Sequence, residues 1–205
     1  MIPLWTIPLI AYLLGSIPFG LLIVKMAGGG DVRQAGSGNI GAANVTRVAG
    51  PVSGIVTLLL DAGKGYLAVW IARRWSGGNI RWISIAALAV VLGHMFSVWL
   101  RFRGGKGVAT SLGAYLAISG AGWAVAAAAA VWILVVAFWR YVSLASIAAA
   151  AAFPFLLYEL YAPHFAPPSV LSLTTVFIAL LIVWKHRANM QRLIAGTESQ
   201  LKLKR

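Results

Sequence analysis

The chain contains no cysteine and only four acidic residues in 205 positions. The first absence excludes disulfides, thiol nucleophiles and iron–sulfur clusters, and says nothing about compartment. The acids are Asp31, Asp61, Glu159 and Glu198, and no two of them form a D-x-x-D cluster. His94, His164 and His186 are equally scattered, so no H-x-x-x-H pair exists. A structural zinc or a carboxylate-bound magnesium is therefore not expected. Metal-dependent alcohol-phosphate transferases need clustered aspartates and are excluded. No cofactor is expected. A serine–histidine–acid hydrolase finds no G-x-S-x-G. Charge of any kind is scarce, at 10% of residues, where soluble domains carry about a quarter.

What is present is apolar sequence. The chain is 60% hydrophobic with mean hydropathy +0.86. Apolar runs at 4–25, 52–72, 82–100, 107–119, 122–139, 144–161 and 169–185 approach the roughly 20 residues that cross a bilayer core, except the short fourth. They predict an all-α integral membrane protein, a polytopic bundle of about seven transmembrane helices. No small-residue cleavage site follows the first run, so 4–24 reads as a retained helix. No polar stretch is long enough for a second domain. Residues 1–198 read as one membrane-embedded domain and 199–205 as a basic tail. All of the nine tryptophans except Trp132 lie near proposed helix ends, as interfacial belts do.

Seven spans put the termini on opposite sides. Thirteen of the 17 cations then share one side with the C-terminus, against Arg73, Arg74 and Arg81 on the other. The positive-inside rule makes the first side cytoplasmic and the N-terminus extracytoplasmic. Five spans, with 107–119 and one neighbour re-entrant, leave the termini equally opposed. Every unusual polar stretch falls on that side: GSGNIGAANVTR (Gly36–Arg47), RFRGGKG (Arg101–Gly107), RYVSLAS (Arg140–Ser146) and KHRANMQRLIAGTE (Lys185–Glu198). Glycines, hydroxyls, amides and cations with almost no acids suit a phosphorylated ligand. Glycine lets consecutive N–H groups form an anion nest, and a helix starting at Gly107 would aim its positive end there.

The bland account of net charge +13 is topology and attraction to anionic membrane lipids. It has no use for Ser37, Asn39, Asn44, His186 or Asn189. Nucleic acid is not expected, because the cations form short clusters rather than a tract. GSGNIG with Asp61 beyond it imitates a dinucleotide fingerprint, but lacks the preceding strand. GGKGVAT lacks the first glycine of a P-loop. Asp61 and Lys64 lie at i, i+3 inside an apolar run, either as a mutually neutralising pair or with Asp61 orienting a cation or hydroxyl at the site. His94 reads as a buried structural histidine.

GSGNIGAANVTR, GHMFSVWLRFRGGKGVAT and KHRANMQRLIAGTE closely resemble the three signature motifs of the bacterial acyl-phosphate-dependent glycerol-3-phosphate acyltransferases, the PlsY family. GSIPFG (15–20) and DAGKG (61–65) add to the likeness, which runs from about residue 12 to 198. Ala43 stands where that family usually has threonine.

The resemblance implies a seven-helix enzyme of the bacterial inner membrane, working at the cytoplasmic face. It would move a fatty acyl group from long-chain acyl phosphate to the 1-hydroxyl of glycerol-3-phosphate, the first step of phospholipid biosynthesis. The soluble enzyme that makes acyl phosphate is an implied partner. Carried over by position, Ser37, Arg47, Lys106, Ser143, His186 and Asn189 bind glycerol-3-phosphate, with Ser146 second choice to Ser143. Lys106, His186 and Asn189 are the catalytic candidates. Backbone around Gly38, Asn39, Gly41, Gly104 and Gly105 would cradle the acyl phosphate, and Asn44, Asp61, Lys64, Arg103 and Glu198 support the site. The general base is either His186 or a phosphate oxygen of the donor. The competing class, a transporter or binding protein for an organic phosphate, should place its polar site near midplane.

Overall fold

A computed structural model describes residues 3–161 and 168–201; His164 and the last four residues lie outside that range. Among the described residues there is no strand, and the expected all-helical architecture is observed. Helices α1 (Thr6–Ser16), α2 (Phe19–Met26), α3 (Ala42–Trp75), α4 (Ile80–Met95) and α5 (Val108–Leu116) belong to one compact unit, residues 1–118. Helices α6 (Gly122–Trp139), α7 (Val142–Tyr161), α8 (Ser169–Lys185) and α9 (Arg187–Ile194) belong to a second, 119–205.

Five segments are long and apolar enough to cross a membrane: Thr6–Met26, Ala42–Trp75, Ile80–Leu100, Gly122–Trp139 and Val142–Glu159. The α8–α9 pair, bent by 52°, makes a sixth if taken as one span. Helix α5 has nine residues, about 14 Å at 1.5 Å per residue, under half of a roughly 30 Å hydrocarbon core. Large apolar side chains point outward along these helices, among them Leu59 (64% exposed), Phe155 (73%) and Leu173 (69%). A water-facing surface of this kind would aggregate, whereas lipid covers it at no cost.

In the first unit an apolar interior also buries polar side chains, among them Asn44, Asp61, Lys64 and His94, and its helices pack closely. The first apolar run is broken at Ile17–Pro18 into α1 and α2, because proline lacks the N–H that would continue the ladder. Helix α3 is bent at Gly50 (φ 84°, ψ 170°), which precedes Pro51. Residues 42–49 are thus a short separate helix, where the sequence suggested loop up to residue 51. Gly15 lies on the Val90 backbone and Gly93 on that of Tyr12, so α1 and α4 touch main chain to main chain. Gly65 against Thr110 and Gly113 against Ala62 do the same for α3 and α5. A Cβ at any of the four would overlap backbone, which cannot give way. Gly113→Val is expected to lower the thermal midpoint in detergent, since overpacking costs about 1–3 kcal/mol. An unchanged midpoint would show that these helices are not in backbone contact.

In the second unit α6 packs on α7, and α7 on α8. The α6–α7 connection is Arg140 (φ 62°) and Tyr141. The bend after α8 falls at His186, which ends α8 and begins α9.

Candidate active site

The first motif is a loop built around one side chain. Asp31 starts a single helical turn, Val32–Gln34, by accepting from the Arg33 N–H at 2.9 Å. The Arg33 side chain also bonds it, and these bonds hold its carboxyl down at about 2. The chain then turns through Gly36 (φ 60°) and Gly38 (φ 70°). Asn44, from the first turn of α3, reaches back into this loop and is 2% exposed. Its Oδ1 accepts from the Ser37 N–H at 2.7 Å. The two hydrogens of its Nδ2 are shared among Val32 O (3.1 Å), Ala35 O (3.0 Å) and Asn39 O (2.9 Å). Asn39 in turn accepts from the Gly41 N–H at 2.8 Å, an Asx turn that starts α3. Leu21, Val24, Val32, Ile40, Val45 and Leu100 form the apolar floor. Ser37 is exposed on this loop, and Ala43 and Arg47 are exposed on the first turns of α3.

The second motif is equally determined. After the turn Val98–Leu100, Arg101 (φ 51°) and Phe102 (φ 63°) are both left-handed. The Phe102 N–H donates to Ser97 O at 2.8 Å, and the Ser97 hydroxyl donates to Ser16 O at 2.6 Å. Gly104 N–H donates to Met95 O (3.2 Å) and Gly105 N–H to His94 O (2.9 Å). Lys106 is half-buried and Arg103 exposed. Gly107 (φ 84°) is the N-cap of α5, whose first internal bond is Ser111 N–H to Gly107 O at 2.8 Å.

The amides of Gly38, Gly41, Gly104 and Gly105 donate to Ala35 O, Asn39 Oδ1, Met95 O and His94 O, and these bonds shape the two loops. Glycine is required there for space: a Cβ on Gly104 would overlap His94 O, and one on Gly105 the His94 ring. The amides suited to an anion are those of Val108 to Thr110, which precede the first internal bond of α5.

Asp61 and Lys64, buried in α3, are 2.7 Å apart, and His94 Nδ1 is 3.5 Å from Asp61 Oδ1. His94 is buried, at 4% exposure, as expected from the sequence.

The second unit gathers the other motifs. Ser143 and Ser146 lie in the first turns of α7 rather than in a turn, and within the polar stretch Lys185–Glu198 residues Arg187–Ile194 form α9. The Ser143 hydroxyl donates to Glu198 Oε1 at 2.7 Å, and Asn189 Nδ2 to the same oxygen at 2.6 Å. Arg192 Nε lies 2.6 Å from Glu198 Oε2. Ser146 is used locally, donating to Val142 O (2.8 Å) and accepting from the Trp132 indole (3.2 Å). His186 is 3% exposed, and its Nδ1 faces Ile182 O at 2.8 Å. A ring nitrogen against a carbonyl carries the proton, so Nε2 is the acceptor nitrogen. Asn189 follows three residues later, on the same face of α9.

The C-terminal segment closes over this cluster. Gly196 (φ 67°) ends α9, Thr197 N–H returns to Arg192 O at 2.8 Å, and Leu201 N–H donates to Arg140 O at 2.7 Å. Burial pushes the Glu198 carboxyl up, but the bonds from Asn189, Ser143 and Arg192 outweigh it and hold the group below its ordinary value. The sequence marked Glu198 only as supporting; nothing in it signals a partner 55 residues away. Among the described residues no cluster of metal-ligating side chains occurs.

The glycerol-3-phosphate acyltransferase family model matches residues 5–196. A glycerol-3-phosphate acyltransferase of Trichlorobacter lovleyi is 51% identical over 196 residues, covering 94% of each chain. One of Geotalea daltonii is 50% identical over 192 residues, again 94% of each. Among solved structures, the chain resembles the crystal structure of PlsY (YgiH), an integral membrane glycerol 3-phosphate acyltransferase, in its glycerol 3-phosphate form. The TM-score is 0.87 at 38% identity, covering 97% of this chain and 96% of that one. The lysophosphatidic acid form of the same protein gives a TM-score of 0.85. Matches of this extent, on a chain with these apolar spans and these three polar motifs, leave one conclusion: it belongs to the glycerol-3-phosphate acyltransferase family and shares its integral membrane fold.

Proposed function

We propose that this protein transfers a fatty acyl group from a long-chain acyl phosphate to the 1-hydroxyl of glycerol-3-phosphate. The products are 1-acyl-glycerol-3-phosphate and inorganic phosphate, at the entry to phospholipid biosynthesis. The setting is the cytoplasmic face of a bacterial inner membrane. Residues 1–198 act as one membrane domain of about seven helices, of which α5 is too short to cross by itself, with the N-terminus outside and the basic tail inside. A soluble enzyme making acyl phosphate supplies the donor. The observation that carries this reading is likeness over nearly the whole chain to a transferase solved with glycerol 3-phosphate.

Each side chain then has a task. Arg47 and Lys106 counter the acceptor's phosphate, and Ser37, Ser143 and Asn189 hydrogen-bond it. The backbone around Gly38, Asn39, Gly41, Gly104 and Gly105, together with the first turn of α5, receives the donor phosphate. The acceptor hydroxyl attacks the acyl carbonyl, the new ester C–O bond forms, and the acyl C–O bond to phosphate breaks. The hydroxyl proton passes to His186 Nε2 or to a donor phosphate oxygen. Because phosphate leaves readily from an acyl phosphate, no acyl-enzyme is needed. Much of the rate comes from holding two mutually repelling anions in contact.

Purified protein in detergent, with labelled glycerol-3-phosphate, tests these roles. Lys106→Ala is expected to raise KM for the acceptor, because it removes phosphate binding shared by ground and transition states. His186→Ala is expected to lower kcat by about 10²-fold or more, the usual scale of proton transfer. Both variants working at the parent rate would overturn the assignment.

A further inference from the structure

We propose that Asp61, Lys64 and His94 are positioning residues that set the glycine loop 104–107, and through it Lys106, for the acceptor's phosphate. The proposal rests on the acyltransferase reading above. A charge inside a membrane span costs about 2.5–3.5 kcal/mol on insertion scales, and apolar residues of similar volume are often as stable as a buried pair. Helix stability alone therefore gives no reason for Asp61 and Lys64. Their contacts give one.

The contacts form a chain across four elements of the first unit. Lys64 Nζ donates to Ile17 O at 2.8 Å, satisfying a carbonyl at the break between α1 and α2. It also lies 5.5 Å from the centre of the Phe19 ring, just past that break. Lys64 fixes Asp61 at 2.7 Å, and Asp61 faces His94 Nδ1 at 3.5 Å. His94 then grips the loop twice. Its carbonyl accepts the Gly105 N–H at 2.9 Å, and its ring sits so close to Gly105 that a Cβ there would overlap Nε2. The next residue is Lys106, and the one after is the N-cap of α5. On the other side, α5 is held by backbone contact of Gly65 with Thr110 and of Gly113 with Ala62, residues that bracket Lys64 and follow Asp61. A tilt of the His94 ring must therefore move Gly105, and Lys106 with it, while α5 stays fixed.

The test is a double-mutant cycle in detergent with glycerol-3-phosphate as the varied substrate. His94→Leu alone is expected to raise KM about tenfold, with kcat changed much less. His94→Asn, whose amide can replace Nδ1, should recover part of the loss. In a Lys106→Ala background, His94→Leu should change KM little, because the group it positions is gone. Equal KM ratios in both backgrounds, or an unchanged KM in folded His94→Leu, would overturn the proposal. If His94→Leu does not fold, the charge-free double variant Asp61→Asn with Lys64→Met decides. A raised KM supports the network, and the parent KM overturns it. Lys106→Ala alone separates the two claims: an unchanged KM there removes Lys106 from the acceptor site and sinks this inference, while the measured acylation leaves the acyltransferase reading standing. A raised KM there with a silent His94 sinks only this inference.

Discussion

Asn44→Asp is expected to remove nearly all acylation while leaving the apolar helices in place. The substitution keeps shape and removes the donor. Three carbonyls, of Val32, Ala35 and Asn39, lose the NH₂ group that joins them, and a carboxylate now faces them in a site only 2% exposed. A buried acceptor left without a donor costs about 1–3 kcal/mol, and here two N–H donors shared by three carbonyls are lost at once. The loop from Val32 to Asn39 would open, taking Ser37 with it. Activity should fall by about 10²-fold or more. Limited proteolysis should show new cutting confined to residues 31–41. Parent activity in Asn44→Asp would show that the Ser37 loop needs no such anchor. Ala43, exposed beside it, makes no comparable bond, so restoring the family's threonine should leave loop proteolysis unchanged.

Glu198→Ala should have the second largest effect. Its two oxygens hold Ser143, Asn189 and Arg192, so removal leaves two buried polar side chains without their acceptor and frees the C-terminal segment. We expect kcat/KM to fall by about 10²-fold, with Glu198→Gln intermediate because an amide oxygen still accepts. The pH dependence follows from the lowered carboxyl. Its folded value lies below the ordinary 4.5, so this docking is complete above that value and is lost as pH falls through the folded one. Glu198→Gln should therefore unfold at a lower temperature than the parent at neutral pH. The gap should close in strong acid, where the parent carboxyl is protonated as well. A gap that stays constant into acid would show that the carboxylate charge contributes nothing.

The apolar architecture was legible because lipid imposes it. The runs at 122–139 and 169–185 coincide with α6 and α8, since in a bilayer the length of the apolar stretch and of the helix are one constraint. Breaks were harder to see. The first run reads as one helix through Pro18 because its side chains stay apolar, and the carbonyl released there is satisfied by Lys64, 47 residues away. The helices 42–49 and α9 were missed because GAANVTR and RANMQRLI are polar, without the apolar run used to mark a helix. The motifs named most of the candidate residues but not their internal wiring. Asn44 as a four-bond hub, and Glu198 as the acceptor for Ser143, are contacts between segments that no local spacing encodes. The glycines at 104 and 105 also leave room for His94, a requirement that no local spacing encodes.

The central claim is the donor. The most direct measurement supplies purified protein in detergent with labelled glycerol-3-phosphate and either palmitoyl phosphate or palmitoyl-CoA, following acylated product and released phosphate together. Product with the phosphate donor alone, and one phosphate released per acyl group transferred, is the predicted result. Product with the CoA donor alone, or none from either in protein shown to be folded, would contradict it.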